Sequence, residues 1–458
     1  MRGTLEDVVT ATGGRLSGAP ATRFDGVATD SRTLKPGAIF FALRGPRHDG
    51  HDHIREVFER GAAAIVVDRE VKAERPTIRV KDSLRALGDL AGAWRRRFSI
   101  PVVAVTGSNG KTTTKDLTAS VLSSRYRVLK TEGNLNNLIG VPLTLFRLNE
   151  THQAAVVEMG MNHPGEIDRL AAITAPDIGV ITNVARAHLE GLGTLARVAQ
   201  AKGELLNRLS KTGLAVLNAD ESSFPALKKR ARSRVTTFGK TQKASVRLLN
   251  LTKSGLNGIA FRARLGGHEQ RLKLSVPGRH NALNALAAAA VGLELHISPA
   301  QIAKGLKAYR SVSQRMEILP GAKKTLIIND CYNSNPDSAS AALQFLKEAD
   351  SPKARRVAIL GEMLELGKDS ARLHLELGRV AAGSGVELLC AIGPHAAEVV
   401  SGFRGLRKTK KVLLAFSNAE EALPVLLRHI YPRDLVLIKG SRGMKLERVT
   451  EALQKGKN

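Results

Sequence analysis

An apolar run, Val102–Thr106, leads into a glycine-rich turn that is followed by a helical pattern. Gly107 and Gly110 allow the backbone to bend so that its N–H groups face an anion, and the start of the helix adds the positive end of its dipole. Lys111 can neutralise phosphate charge, and the Thr112 hydroxyl can bind Mg²⁺. The sequence therefore predicts a nucleotide phosphate loop made of Gly107, Ser108, Asn109, Gly110, Lys111, Thr112 and Thr113.

This phosphate loop, residues 107–113, departs from the strict P-loop pattern. That pattern has a glycine five residues before the second glycine, and Val105 occupies the position here. The alternative is an ordinary strand-to-helix turn that contains two glycines. The Lys-Thr-Thr sequel and the preceding apolar run favour phosphate binding.

Two further segments place polar residues after apolar runs. Glu158 follows the run at 154–157, and its carboxylate is a candidate Mg²⁺ ligand because hard oxygen ligands beside phosphates suit that ion. His188 follows the run at 178–182 in a glycine-bounded segment, where it could bind a second metal ion or stabilise negative charge. The alternatives are a solvated glutamate that ends a strand and a structural histidine.

Two more groups are candidates for nucleotide contacts. Asn281 and Asn284 lie three residues apart at the start of a small-residue helix, and their amides offer the donor and acceptor that an adenine edge requires. Arg315 can make a bidentate phosphate contact, and Asp330 ends an apolar run where it could hold a ribose hydroxyl or position the arginine. The alternatives are a tightly packed, capped helix and a surface ion pair at a domain junction.

The elements that must position these residues follow an α/β pattern. Apolar segments alternate with helical patterns, which is typical of parallel sheets covered by helices, and such sheets bind ligands at the carboxyl ends of their strands. We expect three domains: a small N-terminal α/β domain at 1–98, a central parallel-sheet domain of the P-loop ATPase type at 99–312, and a Rossmann-like, doubly wound domain at 313–458. The clearest predicted strands are 102–106, 154–158, 178–182, 215–218, 325–329, 356–360, 388–392 and 435–439.

The composition limits the classes of partner. The 458 residues include 70 Lys and Arg against 42 Asp and Glu, a formal net charge of +28. The basic residues form short scattered clusters without an aromatic stacking pattern, so we expect no nucleic-acid partner, although weak attraction to acidic membrane surfaces is consistent with the charge. The longest apolar run, 285–293, is too short to span a bilayer, and two cysteines are too few for a disulfide framework. We expect a cytoplasmic protein and a monomer.

In combination these residues resemble the Mur ligase family, the ATP-dependent amide-forming enzymes of peptidoglycan precursor synthesis. The resemblance covers nearly the whole chain and rests on the order of six residues: Lys111, Glu158, His188, Asn281, Arg315 and Asp330. It implies an N-terminal domain for the UDP end of the substrate, a central ATPase domain and a mobile C-terminal domain. It also implies that Lys202 is carbamylated and helps to hold a second Mg²⁺. The implied catalytic set is Lys111, His188, Lys202 and Arg315, and the implied metal ligands are Thr112, Glu158, His188 and Lys202.

Within the family the chain is similar to the members that join UDP-N-acetylmuramoyl-tripeptide to D-alanyl-D-alanine. The implied substrate-binding residues lie in four segments and are Ser31, Arg32, Asn134, Asn136, Asn137, Asn333, Lys439, Ser441 and Arg442. The implied reaction forms an acyl phosphate from ATP, which the incoming amine then attacks. One alternative is a sibling ligase, including the folylpolyglutamate type, that uses a different amine. The other is a basic P-loop ATPase that binds nucleic acid.

Overall fold

Three α/β domains follow one another along the chain in the computed structural model, which describes residues 1–72, 75–187, 189–351, 353–405 and 411–456. This architecture confirms the predicted three-domain α/β fold. The predicted strands differ from the observed ones by at most one residue at either end. Among the described residues, no helix combines the length and the apolar character that a membrane crossing requires.

The N-terminal domain contains short strands and three helices. The strands are β1 (Arg2–Thr4), β2 (Arg15–Ser17), β3 (Arg23–Asp25), β4 (Val27–Ala28), β5 (Ile39–Phe41), β6 (Ala64–Val67) and β7 (Thr77–Arg79). The helices are α1 (Leu5–Thr12), α2 (Ile54–Glu59) and α3 (Ser83–Arg95). The main sheet has the order β2-β7-β6-β5-β4, and β1 pairs with β3 separately. A 3₁₀ turn at Ser31–Thr33 carries the predicted substrate residues Ser31 and Arg32.

The central domain contains nine strands in one sheet. They are β8 (Val102–Thr106), β9 (Val128–Lys130), β10 (Ala154–Glu158), β11 (Ile178–Ile181), β12 (Leu214–Asn218), β13 (Arg234–Gly239), β14 (Val246–Gly255), β15 (Gly258–Leu265) and β16 (His268–Leu274). The order is β16-β15-β14-β13-β12-β11-β8-β10-β9. Strands β8, β10, β11 and β12 are buried along their whole length, because the sheet packs apolar layers on both faces.

Helices cover this sheet. They are α4 (Lys111–Leu122), α5 (Gly140–Leu145), α6 (Glu166–Thr174), α7 (Leu189–Leu192), α8 (Leu195–Lys202), α9 (Glu204–Asn207), α10 (Phe224–Arg230), α11 (His280–Glu294) and α12 (Pro299–Ala308). Helix α11 has a run of fully buried alanines, which lets it approach α4 and the sheet closely. The phosphate loop connects β8 to α4 and also contacts α11, where Asn284 lies against Gly110.

The central sheet contains the predicted parallel strands and, in addition, an antiparallel edge that the prediction did not include. Strands β8 to β13 are parallel, but β14, β15 and β16 form antiparallel hairpins at one edge. Apolar residues alternate with Arg262 and Arg264 along β15, as expected for a sheet with one face in solvent. The sequence carries this period of two and a Gly266-Gly267 turn, both of which indicate a hairpin.

The C-terminal domain is a doubly wound sheet. Its strands are β17 (Glu317–Pro320), β18 (Leu326–Asn329), β19 (Arg356–Gly361), β20 (Leu388–Ile392), β21 (Val412–Phe416) and β22 (Leu435–Lys439), in the order β17-β18-β22-β19-β20-β21. Its helices are α13 (Pro336–Glu348), α14 (Ser370–Gly383), α15 (Ala396–Arg404), α16 (Ala419–His429) and α17 (Glu447–Lys455). All neighbouring strands are parallel except the β17–β18 pair. The carboxyl ends of β18 and β22 face the central domain through the loops that follow them.

Candidate active site

A deep cleft lies between the central and C-terminal domains and has a volume of about 1020 Å³. Five of the six residues on which the family resemblance rests line it: Lys111, Glu158, Asn281, Arg315 and Asp330. The sixth, His188, lies outside the described residues, although its neighbour Ala187 also lines the cleft. Segments more than 200 residues apart in sequence therefore meet at the carboxyl ends of two sheets.

The phosphate loop needs both of its glycines. Gly107 has φ 148° and Gly110 has φ 77°, a region that favours glycine. A Cβ at Gly107 would lie 1.9 Å from Thr182 Oγ1, and one at Gly110 would lie 2.4 Å from Asn284 Oδ1. Helix α4 starts at Lys111 without a side-chain cap, so its first N–H groups are left for an anion.

Other bonds fasten the phosphate loop to the end of β11. The Ser108 hydroxyl donates to the Ala185 carbonyl and accepts from its N–H, at 3.2 and 2.9 Å. The backbone N–H of Asn109 donates to Asn183 Oδ1 at 2.9 Å, and its carbonyl accepts from the Thr182 hydroxyl at 2.6 Å. The loop is thus held in shape before any ligand binds.

The side chain of Lys111 folds back over this loop. Its ammonium donates to the carbonyls of Gly107 and Ser108 at 2.9 and 3.1 Å. Burial lowers the pKa of Lys111; the Glu158 carboxylate opposes that shift, and the Arg315 guanidinium adds to it. Two of the three N–H groups of Lys111 are engaged, so the third remains for a phosphate oxygen.

Glu158 combines deep burial with an unsatisfied oxygen. The residue is 1% exposed, and its Oε1 accepts a hydrogen bond from Asn136 Nδ2 at 2.7 Å. Its Oε2 is buried without a hydrogen-bond partner among the described residues. A buried carboxylate oxygen in that state is costly unless a cation or donor satisfies it. Thr112 also lines the cleft, so these two oxygen donors fit the predicted Mg²⁺.

Lys202 is 1% exposed at the end of α8 and does not belong to the described lining of the cleft. Burial lowers the pKa of Lys202 well below its ordinary value, and the nearby Lys111 ammonium lowers it further. Both effects favour the neutral amine, the form of lysine that can react with CO₂. The burial and charge of this residue are compatible with the predicted carbamylation.

Asn281 and Asn284 are bonded to one another and to the protein. Asn281 Nδ2 donates to the Pro277 carbonyl at 2.7 Å, and Asn284 Nδ2 donates to Asn281 Oδ1 at 2.9 Å. Both residues line the cleft, and Asn284 lies directly against Gly110. The pair packs α11 against the phosphate loop, whereas its contact with adenine stays a prediction.

Arg315 and Asp330 lie on the opposite wall of the cleft, but no salt bridge joins them among the described residues. The guanidinium of Arg315 lies over the Tyr332 ring, 4.0 Å from its centroid. Asp330 accepts from Lys439 Nζ at 2.6 Å and from the Met316 N–H at 3.1 Å. Asp330 therefore anchors the backbone next to Arg315, and the surface ion pair between the two is not observed.

The predicted substrate residues divide into two groups. Seven of them line the cleft, and several also have structural bonds: Asn137 Oδ1 accepts from the Gly140 N–H at 2.8 Å, and Ser441 Oγ accepts from the Leu364 N–H at 2.9 Å. The seven are Asn134, Asn136, Asn137, Asn333, Lys439, Ser441 and Arg442. The other two, Ser31 and Arg32, lie in the N-terminal domain and outside this cleft, where Arg32 forms a two-pronged ion pair with Asp30.

Sequence reasoning missed a contact that joins the two domains across the phosphate loop. Asn335 Nδ2 donates to Asn109 Oδ1 at 2.7 Å, while Asn335 Oδ1 caps α13 by accepting from the Ser338 N–H. Nearby, the Arg186 N–H donates to Asp337 Oδ2 at 2.9 Å. The Asn-Pro-Asp-Ser start of α13 was a recognisable capping signal, but nothing in the sequence indicated which loop its free amide would contact.

Comparisons with known proteins find relatives that match the chain over nearly its whole length. The UDP-N-acetylmuramoyl-tripeptide–D-alanyl-D-alanine ligase of Escherichia coli (strain K12) is 37% identical over 454 residues, which is 98% of each chain. The crystal structure of MurF from Acinetobacter baumannii superposes with a TM-score of 0.92 at 32% identity and covers 99% of both chains. MurF of Thermotoga maritima in complex with ADP superposes with a TM-score of 0.82 at 29% identity, over 94% of this chain and 97% of that one.

Family matches account for most of the chain. Residues 23–95 match the catalytic domain of the Mur ligase family, residues 105–292 match the Mur ligase middle domain, and residues 314–442 match the glutamate ligase domain of Mur ligases. The chain belongs to the Mur ligase family.

Proposed function

We propose that this protein joins D-alanyl-D-alanine to UDP-N-acetylmuramoyl-tripeptide at the expense of ATP, in peptidoglycan precursor synthesis. The observation that carries the proposal is the buried, half-satisfied Glu158 carboxylate in the same cleft as the phosphate loop and Arg315. The names of the related ligases supply the substrates. A nucleic-acid ATPase would also hold Mg²⁺ with such a carboxylate, so the similarity to the ligases is what favours amide formation over that alternative.

We assign ATP to the phosphate loop and the surrounding cleft wall. Residues 107–113 would hold the phosphates, and Asn281, Asn284, Arg315 and Asp330 would contact the rest of the nucleotide or position those that do. Thr112, Glu158, His188 and carbamylated Lys202 would hold two Mg²⁺ ions. Bound Mg²⁺ would neutralise phosphate charge and polarise the transferred phosphoryl group.

The chemistry divides into two transfers. A carboxylate oxygen of the tripeptide attacks the γ-phosphorus of ATP, and the bond from that phosphorus to the β–γ bridging oxygen breaks. The products of this step are ADP and the acyl phosphate of the tripeptide. The amine of D-alanyl-D-alanine then attacks the acyl carbon, loses a proton, and expels phosphate as the amide forms. Lys111 and Arg315 would stabilise negative charge during both steps, as fixed cations do in a cleft shielded from water.

The remaining residues would bind and enclose the substrates. Ser31 and Arg32 would contact the UDP end, and the cleft residues Asn134, Asn136, Asn137, Asn333, Lys439, Ser441 and Arg442 would contact the peptide and the dipeptide. Contacts such as Asn335 to Asn109 would keep the domains closed and exclude water from the acyl phosphate. We further propose the boundaries 1–98, 99–312 and 313–458, a cytoplasmic location and a monomer.

Phosphate release tests this function directly. The protein would be incubated with ATP and Mg²⁺, with UDP-N-acetylmuramoyl-tripeptide and D-alanyl-D-alanine supplied singly and together. We expect continuous turnover only with both substrates, and a product whose mass equals the sum of the two less one water. Turnover that needs neither substrate, or that needs another amine, would refute the proposal.

A further inference from the structure

The hairpin edge of the central sheet presents a charged surface that the ligase reaction does not use. Strands β14, β15 and β16 bury one face against α11 and α12, through residues that include Phe261 and Leu272. On their other face the long polar side chains are exposed or partly exposed, whereas the small Ala260 between them is buried. We name it the cationic face, and its basic residues are Arg247, Lys253, Arg262, Arg264, Arg271 and Lys273.

The cationic face has almost no internal neutralisation. Glu269 lies 4.0 Å from Arg262 and 3.5 Å from Arg264, and its own side chain is 49% exposed. Across the described part of the chain, no carboxylate forms a salt bridge with the other four cations. Six cations and one acid thus share a single face, whereas charges of both signs are usually interspersed on the surface of a soluble protein.

The register of the strands places like charges opposite one another, which lowers the stability of the fold. Arg262 lies directly opposite Arg271, and Arg247 lies directly opposite Arg264. Like charges in directly opposed positions destabilise an antiparallel sheet. Two such pairs on one exposed face indicate that the charge is kept for an interaction with an anion.

We propose that the cationic face binds the anionic surface of a lipid bilayer. A three-stranded sheet is a broad surface about 10 Å wide and 20 Å or more long, and it matches a laterally mobile layer of anionic headgroups better than a pocket-bound ligand. The face carries no aromatic side chain for base stacking and no helix to enter a groove. The net charge predicts a weak attraction to acidic membranes, and the cationic face is the surface to which we assign that attraction. This inference is independent of the ligase proposal.

Flotation with vesicles tests the inference on the full chain. Each basic residue near an anionic bilayer strengthens binding about fivefold, so Arg271→Glu should weaken binding about 25-fold through a change of two charges. The vesicles would contain phosphatidylcholine and phosphatidylglycerol in equal amounts. The same substitution should raise the melting temperature, because it turns the Arg262–Arg271 pair into an ion pair. Opposite effects on folding and binding separate a binding role from damage to the fold.

Two further variants complete the test. Combined replacement of Arg262, Arg271 and Lys273 by Gln should weaken vesicle binding about a hundredfold and leave ligase turnover in solution unchanged. Lys229→Glu, on the exposed side of α10, changes the net charge as Arg271→Glu does and should leave binding within about twofold.

Several results would overturn the inference. They are equal losses in Arg271→Glu and Lys229→Glu, equal binding to vesicles of phosphatidylcholine alone, or binding that high salt does not weaken. Tighter binding of duplex DNA than of anionic vesicles through the same residues would also replace the bilayer with a nucleic acid. Loss of ligase turnover in the triple variant would also overturn the inference, because none of these residues lines the cleft and the cationic face would then serve the fold or the ligase reaction.

Discussion

Two buried glutamates at strand ends differ in how their carboxylate oxygens are bonded. Glu158, at the end of β10, has one oxygen bonded to Asn136 and one with no partner among the described residues. Glu362, directly after β19, has Oε1 at 2.6 Å from His395 Nδ1 and Oε2 at 3.2 Å from the His395 N–H. The two residues are similarly buried, so the difference lies in what completes their bonding.

The cluster around Glu362 also shows why proximity alone does not make a metal site. Glu362, His374 and His395 lie close enough together to hold an ion. However, His374 Nε2 accepts from the Met363 N–H at 3.0 Å, and its Nδ1 lies 2.8 Å from the Ser370 carbonyl. Burial lowers the pKa of His374, which favours this neutral, fully bonded ring. We interpret this cluster as structural and the region around Glu158 as the ligand site.

The largest expected effect comes from the phosphate loop. Lys111→Ala should lower ligase turnover by about a thousandfold, because it removes a fixed cation from the site of phosphoryl transfer. The melting temperature should change little, since Lys111 bonds only to carbonyls of its own loop. Steady-state phosphate release and thermal unfolding measure the two effects. Turnover close to that of the unmodified protein would exclude Lys111 from catalysis.

The two glutamates give a matched pair of variants. Glu158→Gln should lower turnover by a hundredfold or more and leave the free energy of unfolding unchanged or higher, because an amide is cheaper to bury than a half-satisfied carboxylate. Glu362→Gln should lower the free energy of unfolding by about 2 kcal/mol, because it weakens a buried bond to His395, and it should preserve turnover per folded molecule. Denaturant unfolding and phosphate release distinguish them. The reverse pattern would invalidate the comparison.

Lys202 extends the comparison to a buried base. Lys202→Met should lower turnover by about tenfold to a hundredfold without lowering the melting temperature, since the residue is buried and its pKa is strongly lowered. If the neutral amine carries a carbamate, removal of CO₂ from the buffer should also lower turnover, and bicarbonate should restore it. Lys211→Met, on an exposed turn, is the control. A turnover rate that changes neither on removal of CO₂ nor in Lys202→Met would contradict carbamylation.

The smallest expected effect concerns the contact between domains. Asn335→Ser keeps a residue that can cap α13 but is too short to reach Asn109. The KM for ATP should rise about fivefold, the loss expected for one hydrogen bond, while the melting temperature stays within a few degrees. A rise in KM for Asn335→Ala alone would assign the effect to the cap and not to the contact.

The sequence predicted the architecture and the cleft residues because both leave local signals. Buried parallel strands form continuous apolar runs in the sequence, and for this reason the predicted bounds of β8, β10 and β22 agree with the structure to within a residue. The phosphate loop is recognisable by its glycines before a Lys-Thr pair. The family resemblance, confirmed by the comparisons, assembled distant residues that no local pattern could connect.

What the sequence could not give depends on contacts between distant segments. The mutual bonding of Asn281 and Asn284 and the pairing of Asp330 with Lys439 both follow from how helices and sheets pack. The antiparallel β14–β16 edge lacks the continuous apolar runs of the buried strands, and its local signal is the weaker alternation of polar and apolar residues. The unsatisfied oxygen of Glu158 was equally invisible, since a residue's type does not reveal its bonding partners.

The central claim is that the open oxygen of Glu158 belongs to a metal–nucleotide site. Calorimetric binding of a non-hydrolysable ATP analogue, with and without Mg²⁺, tests it most directly in the unmodified protein, Glu158→Gln and Glu362→Gln. We expect Mg²⁺ to strengthen binding in the unmodified protein and in Glu362→Gln, and to have little effect in Glu158→Gln. A Glu158→Gln protein whose affinity depends on Mg²⁺ as strongly as that of the unmodified protein would contradict the account.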